Sequence, residues 1–203
     1  MTSYRSERFL SCFIGIPLPF HDQQKFEDVL SRIGLENIGL VTVKPETPHI
    51  TIYYLGDQTL TALEQVVLEI SQFLPLMVGT HMTVNQVGVF GGHDPRVLFF
   101  KVFYSPEIEK FYNSIQQPLR KFCVKKQMHF RPHLTLARAY RYRSRSALKL
   151  RLKSIEHKLS DISWHFPIDH ISIYGIGPGV RSTVHQELFR LEIPKNNISQ
   201  AGE

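Results

Sequence analysis

Pro48-His49-Ile50-Thr51-Ile52 and Pro132-His133-Leu134-Thr135-Leu136 are near-copies, with their histidines 84 residues apart. In an extended strand, residues i and i+2 share a face. Each copy therefore sets an imidazole beside a hydroxyl on one side, and Ile50 with Ile52, or Leu134 with Leu136, on the buried side. The proline before each histidine lacks a backbone donor and favours an extended start to the strand. Two such strands, side by side in a pair of related lobes, would bring two histidines and two threonines to one cleft.

The elements around them mix strands and helices without the strict alternation of a parallel doubly wound sheet. An apolar run at 9–16, closed by Pro17 and Pro19, predicts a buried strand. Phe26, Val29, Leu30 and Ile33 repeat at helical spacing, with Gly34 as the stop. Strands are expected at 38–43 and 49–55, the second ending at Gly56-Asp57. Thr61 and Glu64 form a capping-box pattern ahead of the stripe Leu63, Val66, Val67, Ile70 and Leu74, which Pro75 ends. Further strands are expected around 80–90 and 97–103, joined by the turn at Gly91–Pro95. Ser105-Pro106-Glu107 opens a third helix, with Pro118 set to kink or shorten it. Residues 144–160 fit either a strand or a helix, and the longer-lived pattern is helical. Strands at 162–175 and 184–193 close the chain, and 195–203 reads as a flexible tail. The fold class is α+β: one domain over 1–203 of two intertwined, pseudo-symmetric lobes, mostly antiparallel, with helices on the outer faces and a central cleft.

Composition narrows the function. The hydrophobic fraction of 42% and charged fraction of 21% are those of a globular protein with a real core. A formal net charge of +6 favours polyanions, provided the cations cluster near a site. Cys12 and Cys123 are far apart and flanked by apolar residues, which suits small buried thiols better than a disulfide framework. The apolar N-terminal stretch is too short and interrupted to span a bilayer, and lacks a secretory cleavage pattern, so a cytoplasmic location without membrane contact is expected. No obligate protein partner is signalled.

Two imidazoles and two hydroxyls on one surface suit phosphodiester cleavage. One neutral imidazole can take a proton from water or an alcohol, while an imidazolium gives one to the leaving oxygen, and unperturbed histidine offers both forms near neutral pH. Thr51 and Thr135 can donate to the non-bridging phosphate oxygens. His49, His133, Thr51 and Thr135 are thus the candidate catalytic residues. A single His-x-Thr on a strand usually carries no function, and the duplication is what separates this pattern from coincidence. No other histidine falls in a zinc-ligand spacing, so neither a metal nor a cofactor is expected. A binding module that holds a nucleotide or RNA end without turnover is the alternative.

The stretches TPHITIYYLGD (47–57) and RPHLTLAR (131–138) resemble the paired signatures of the two-histidine phosphoesterase superfamily. Within it the chain is similar to the 2′-5′ RNA ligase/RNA 2′,3′-cyclic phosphodiesterase (LigT-like) family. FIGIPLP (13–19), GVFGGHDPRVLFF (88–100) and IYGIGPGVRSTVHQELFRLEIP (173–194) extend the likeness over most of the chain. The resemblance implies two related antiparallel sheets about a cleft. It also implies hydrolysis of a 2′,3′-cyclic phosphate, on an RNA 3′ end or a nucleotide, to a 2′-phosphomonoester, with reversible 2′-5′ ligation in some members. His49 would protonate the leaving 3′ oxygen and His133 would activate water. Arg138 occupies the signature arginine place, although strand parity alone turns it away from His133, so its role requires a twist or bulge. Tyr53 stands where many relatives carry another, often basic, residue. Tyr53, Phe13, Arg131 and Arg138 are the candidate substrate contacts, although Phe13, near the centre of the first strand, reads more readily as a core phenylalanine than as a base-stacking one.

A basic stretch follows the second motif: Arg138, Arg141, Arg143, Arg145, Lys149, Arg151 and Lys153, with Tyr140 and Tyr142 interleaved. It suits an RNA backbone and stacked bases, or simply a solvated helix face and loop. The Gly175–Gly179 turn has no Lys-Ser/Thr and is not a phosphate-binding P-loop, and no adenylation-type lysine motif is present.

Overall fold

The computed structural model describes residues 8–34, 39–44, 47–123, 130–180 and 184–195. Its strands and helices follow one another as β1 (Arg8–Pro17), α1 (Phe20–Ile33), β2 (Val41–Thr42), β3 (His49–Thr59), α2 (Leu60–Ser71), β4 (His81–Phe90), β5 (Val97–Tyr104), α3 (Pro106–Leu119), β6 (His133–Arg138), α4 (Tyr142–Lys158), β7 (Ser163–Pro167), β8 (His170–Ile176) and β9 (Gln186–Glu192). The expected tail lies outside the described residues, save Lys195.

All pairings among the described strands are antiparallel. One half of the sheet runs β7-β4-β5-β6, with β2 also on β6, and the other runs β3-β1-β8-β9. Among the described residues the halves are joined by one pair, Ile50 opposite Leu134, so the two expected sheets form one continuous path through the two motif strands.

The chain crosses between the two halves of the sheet more than once. The run expected as one strand over 162–175 breaks at Ile168-Asp169, because β7 pairs with β4 in one half and β8 with β1 in the other. Helix α1 starts from a strand of the second half but packs on the first. Its buried stripe Phe26, Val29, Leu30 and Ile33 places Phe26 6.3 Å from Trp164 of β7, and Trp164 in turn meets Phe100 of β5 edge-on at 5.5 Å. Gly34, at φ 56°, supplies the left-handed stop that a side chain would resist. Helix α4 lies beside α1, while α2 and α3 cover β3 and its neighbours. Each fully buried ring, Phe26, Phe100, Phe111 and Phe166 among them, is worth about 1.5–3 kcal/mol of apolar burial.

Several boundaries differ from those expected. β3 runs on through Gly56, at φ 77°, to Thr59, and Thr59 rather than Thr61 caps α2, its hydroxyl accepting from the Ala62 N–H at 3.2 Å. Pro118 sits in the last turn of α3, which passes into a short 3₁₀ turn at Arg120–Phe122. Residues 142–158 are helical, as the longer periodicity indicated. Cys12 is fully buried and its thiol is pushed up to about 11 by that burial, whereas Cys123 is half-buried with its Sγ donating to the Tyr54 carbonyl at 3.4 Å.

Candidate active site

The bridge between the halves fixes the site. With Ile50 opposite Leu134, one step along each antiparallel strand sets His49 across from Thr135 and Thr51 across from His133. Ile50 and Leu134 are buried beneath, and the four polar side chains lie partly exposed on the opposite face. The two histidines are diagonal neighbours, a relation that separates backbones by about 7–8 Å in a regular sheet.

Both motif strands then bulge at the same place. On β6, Thr135 pairs with Phe99 and Ala137 with Leu98, leaving Leu136 as the extra residue. Leu136 and Ala137 are consequently both buried, and Arg138 comes out on the histidine face, which regular alternation would have denied it. On β3, Thr51 pairs with Gly15 and Tyr53 with Ile14, so Ile52 is the extra residue. Ile52 and Tyr53 turn inward together. This corrects the expectation for Tyr53: it is 3% exposed and packs 6.3 Å from Tyr112 of α3, away from the cleft. Tyr54, exposed and opposite Phe13, takes the position on β3 that Arg138 takes on β6.

Each imidazole is held by its own strand. The Nδ1 of His49 lies 2.8 Å from the Thr47 carbonyl and that of His133 2.9 Å from the Arg131 carbonyl. A carbonyl only accepts, so Nδ1 carries the hydrogen in both rings and each neutral imidazole keeps the lone pair on Nε2. Arg131 thus contributes through its backbone, while its side chain is exposed.

Aromatic walls complete the pockets. Phe13 and Tyr174 stack on His49 at 4.5 and 5.3 Å, and on each other at 5.2 Å. Phe90 and Phe99 meet His133 edge-on at 4.8 and 5.3 Å. Glycines make both arrangements possible. A Cβ on Gly15 would come within 3.2 Å of the Phe13 ring and 3.4 Å of Tyr174, and one on Gly88 within 2.7 Å of Phe99. Phe13, 4% exposed, packs against His49 as a core phenylalanine would, and not as an open base-stacking platform.

The surroundings of both rings disfavour imidazolium. Burial lowers His49 to about 4, with the charges of His185, Arg138 and His133 acting the same way against the Thr47 carbonyl. Burial also lowers His133, and Arg138 adds to that while the Arg131 carbonyl opposes it. Arg138 therefore lies close enough to influence both rings. Both shifts act against the imidazolium form, and more strongly at His49 than the unperturbed value of histidine would suggest. The sequence reading assigned no role to Tyr174, Phe90 and Phe99, although they lie in the stretches 173–194 and 88–100 that extend the likeness, nor to Tyr54, which depends on the bulge. His185, whose ring meets Phe13 edge-on at 5.0 Å, is likewise lowered by burial. Among the described residues no three His, Cys, Asp or Glu side chains gather where they could hold a metal ion.

Comparison with known proteins places this geometry. The family model described as the 2′-5′ RNA ligase superfamily matches residues 38–177, spanning both motifs. A protein of Archaeoglobus fulgidus named RNA 2′,3′-cyclic phosphodiesterase is 26% identical over 133 residues, 64% of this chain and 72% of its own. One of the same name from Methanocaldococcus jannaschii is 22% identical, over 80% of this chain and 88% of its own. Among solved structures, the TT0787 protein of Thermus thermophilus superposes with a TM-score of 0.68 at 16% identity, over 92% of this chain and all of its own. Escherichia coli LigT complexed with 3′-AMP does so at 0.65 and 13% identity, over 91% and 98%. At such identities the structural likeness is one of fold.

Proposed function

The chain belongs to the 2′-5′ RNA ligase superfamily, and from that premise we propose that it is a metal-independent phosphodiesterase that opens 2′,3′-cyclic phosphates at RNA ends or on nucleotides to 2′-phosphomonoesters. The supporting observation is the convergence, at one bridge pair, of two imidazoles with Nδ1 already engaged and of two threonine hydroxyls. The names of the archaeal relatives agree with it.

In this reading the cyclic phosphate sits between the diagonal histidines. Thr51 and Thr135 donate to its non-bridging oxygens, and Arg138 offsets its charge. One neutral Nε2 takes a proton from water as the water oxygen bonds to phosphorus. The other, protonated, gives its proton to the 3′ oxygen as the P–O3′ bond breaks, leaving the phosphate on the 2′ oxygen. If His49 is the acid, as the family resemblance implies, the bound phosphate must lift it from about 4 toward neutrality, as an opposite charge does. Substrate binding is then coupled to proton uptake. With the 5′-hydroxyl of a second RNA in place of water, the same step makes a 2′-5′ linkage.

The test is incubation with a 2′,3′-cyclic nucleotide in EDTA, with products separated by chromatography. Catalytic amounts of 2′-phosphate and full activity under chelation are expected. A 3′-phosphate product, loss of activity on chelation, or stoichiometric binding without turnover would overturn the reading.

A further inference from the structure

We propose that a basic groove beside the cleft holds the RNA strand upstream of the reacting end, making a single-stranded oligonucleotide, not a mononucleotide, the preferred substrate; this rests on the phosphodiesterase reading above. The groove is a depression of about 800 Å³ between β2 and the start of α4. Arg141, Arg143 and Arg151 line it together with Tyr140, Val41 and Leu150, and all six are exposed.

Three observations carry the proposal. The first is uncompensated charge. Arg145 and Arg96 are both ion-paired with Asp94, so the neighbouring acid is already occupied. Arg141, Arg143 and Arg151 have no acidic partner among the described residues. Three unpaired guanidinium groups around one depression suit successive phosphates. The second is the composition of the wall. Tyr140 is 70% exposed, Leu150 86% and Val41 56%, which gives flat and apolar surface between the cations. Bases stack on such surface without regard to sequence, a pattern that recurs in proteins that track single strands. The third is continuity. Val41 of the groove pairs with Arg138, which faces the histidines, and the chain goes from Thr135 to Arg141 in six residues, at most about 20 Å. A strand whose 3′ end lies between His49 and His133 can therefore continue over Arg138 into the groove. A nucleotide with no upstream phosphates cannot use it.

The experiment compares two substrates: a 2′,3′-cyclic mononucleotide and a single-stranded RNA of about eight nucleotides ending in a 2′,3′-cyclic phosphate, within the usual site sizes for such grooves. Wild-type protein should show the higher kcat/KM on the oligonucleotide. Changing Arg141→Gln, Arg143→Gln and Arg151→Gln together should lower that value at least tenfold while mononucleotide turnover stays within about twofold, since three phosphate contacts are lost. The slope of log Kd against log salt, measured by anisotropy with a labelled RNA of the same length ending in a 2′-phosphate, should fall by about 2. Tyr140→Ala should weaken the oligonucleotide alone. An unchanged oligonucleotide preference in the triple variant, or equal loss on both substrates, would overturn the groove. Wild-type protein that turns over neither substrate would refute the phosphodiesterase reading instead, and the anisotropy with the uncleavable RNA would still decide whether the groove binds a strand.

Discussion

The two motif strands share a backbone and differ in what surrounds it. β3 and β6 each present histidine and threonine on one face, bulge at the next residue and turn a pair of side chains inward. After the bulge, β6 delivers Arg138 to the cleft and β3 delivers Tyr54. His49 stacks with Phe13 and Tyr174, whereas His133 meets the edges of Phe90 and Phe99. Phe90 and Tyr174 even hold matching register positions, opposite Val97 and Phe13. Duplication thus accounts for the placement of two imidazoles, and the departures from it give the two rings different surroundings. Burial is deeper at His49, so its charged form is the more disfavoured.

The largest expected effect tests what the halves share. His49→Ala and His133→Ala should each lower kcat on a cyclic phosphate by about 10²–10⁴-fold. The double variant should be little worse than either single one, because acid and base act in one step. Strictly multiplicative losses in steady-state kinetics would mean that the two halves work independently. Next come the hydroxyls. Thr51→Val and Thr135→Val keep the branched shape but remove the donor, and each should cost about 10² in kcat with little change in KM.

A smaller effect addresses the asymmetry. The charge on Arg138 holds both imidazoles down, so Arg138→Met should raise both and move the maximum of the kcat/KM profile to higher pH. The displacement should be under about one unit, since an exposed guanidinium is screened by water and salt. A profile that stays in place or moves to lower pH would remove Arg138 from the field of the pair. The smallest effect belongs to Tyr53. Tyr53→Phe should leave kinetics unchanged and lower stability by about 1 kcal/mol in a denaturant titration, as expected for one buried hydroxyl. A selective loss of activity would put Tyr53 back in the cleft.

Much of this arrangement was legible in the chain, for identifiable reasons. Period-two alternation at 49–52 and 133–136 is enough to pair each histidine with its threonine, and the apolar stripe of α1 with Gly34 behind it marks that helix to its last turn. The bulges were not legible, because an extra residue at Ile52 or Leu136 leaves no mark in a run of apolar side chains. That single uncertainty misplaced Tyr53, hid Tyr54 and left Arg138 dependent on a bulge. The division of 162–175 into β7 and β8 was missed for another reason: Pro167 and Asp169 interrupt the run, but local alternation does not record which half of the sheet each part joins. The aromatic walls come from long-range pairing of β1 with β8 and β4 with β5, which only the folded register reveals.

The central claim is that two imidazoles with engaged Nδ1 atoms work through Nε2 and gain a proton only when a phosphate arrives. Nitrogen-15 and proton NMR titration of His49 and His133, with and without inorganic phosphate, tests it most directly. The account predicts the Nδ1-protonated tautomer in both rings. It predicts midpoints below 6.5 without phosphate, with His49 lowest and near 4, and an upward displacement of at least one ring on phosphate binding. Midpoints at or above 6.5 that phosphate does not move, or a hydrogen on Nε2 of the neutral rings, would contradict it.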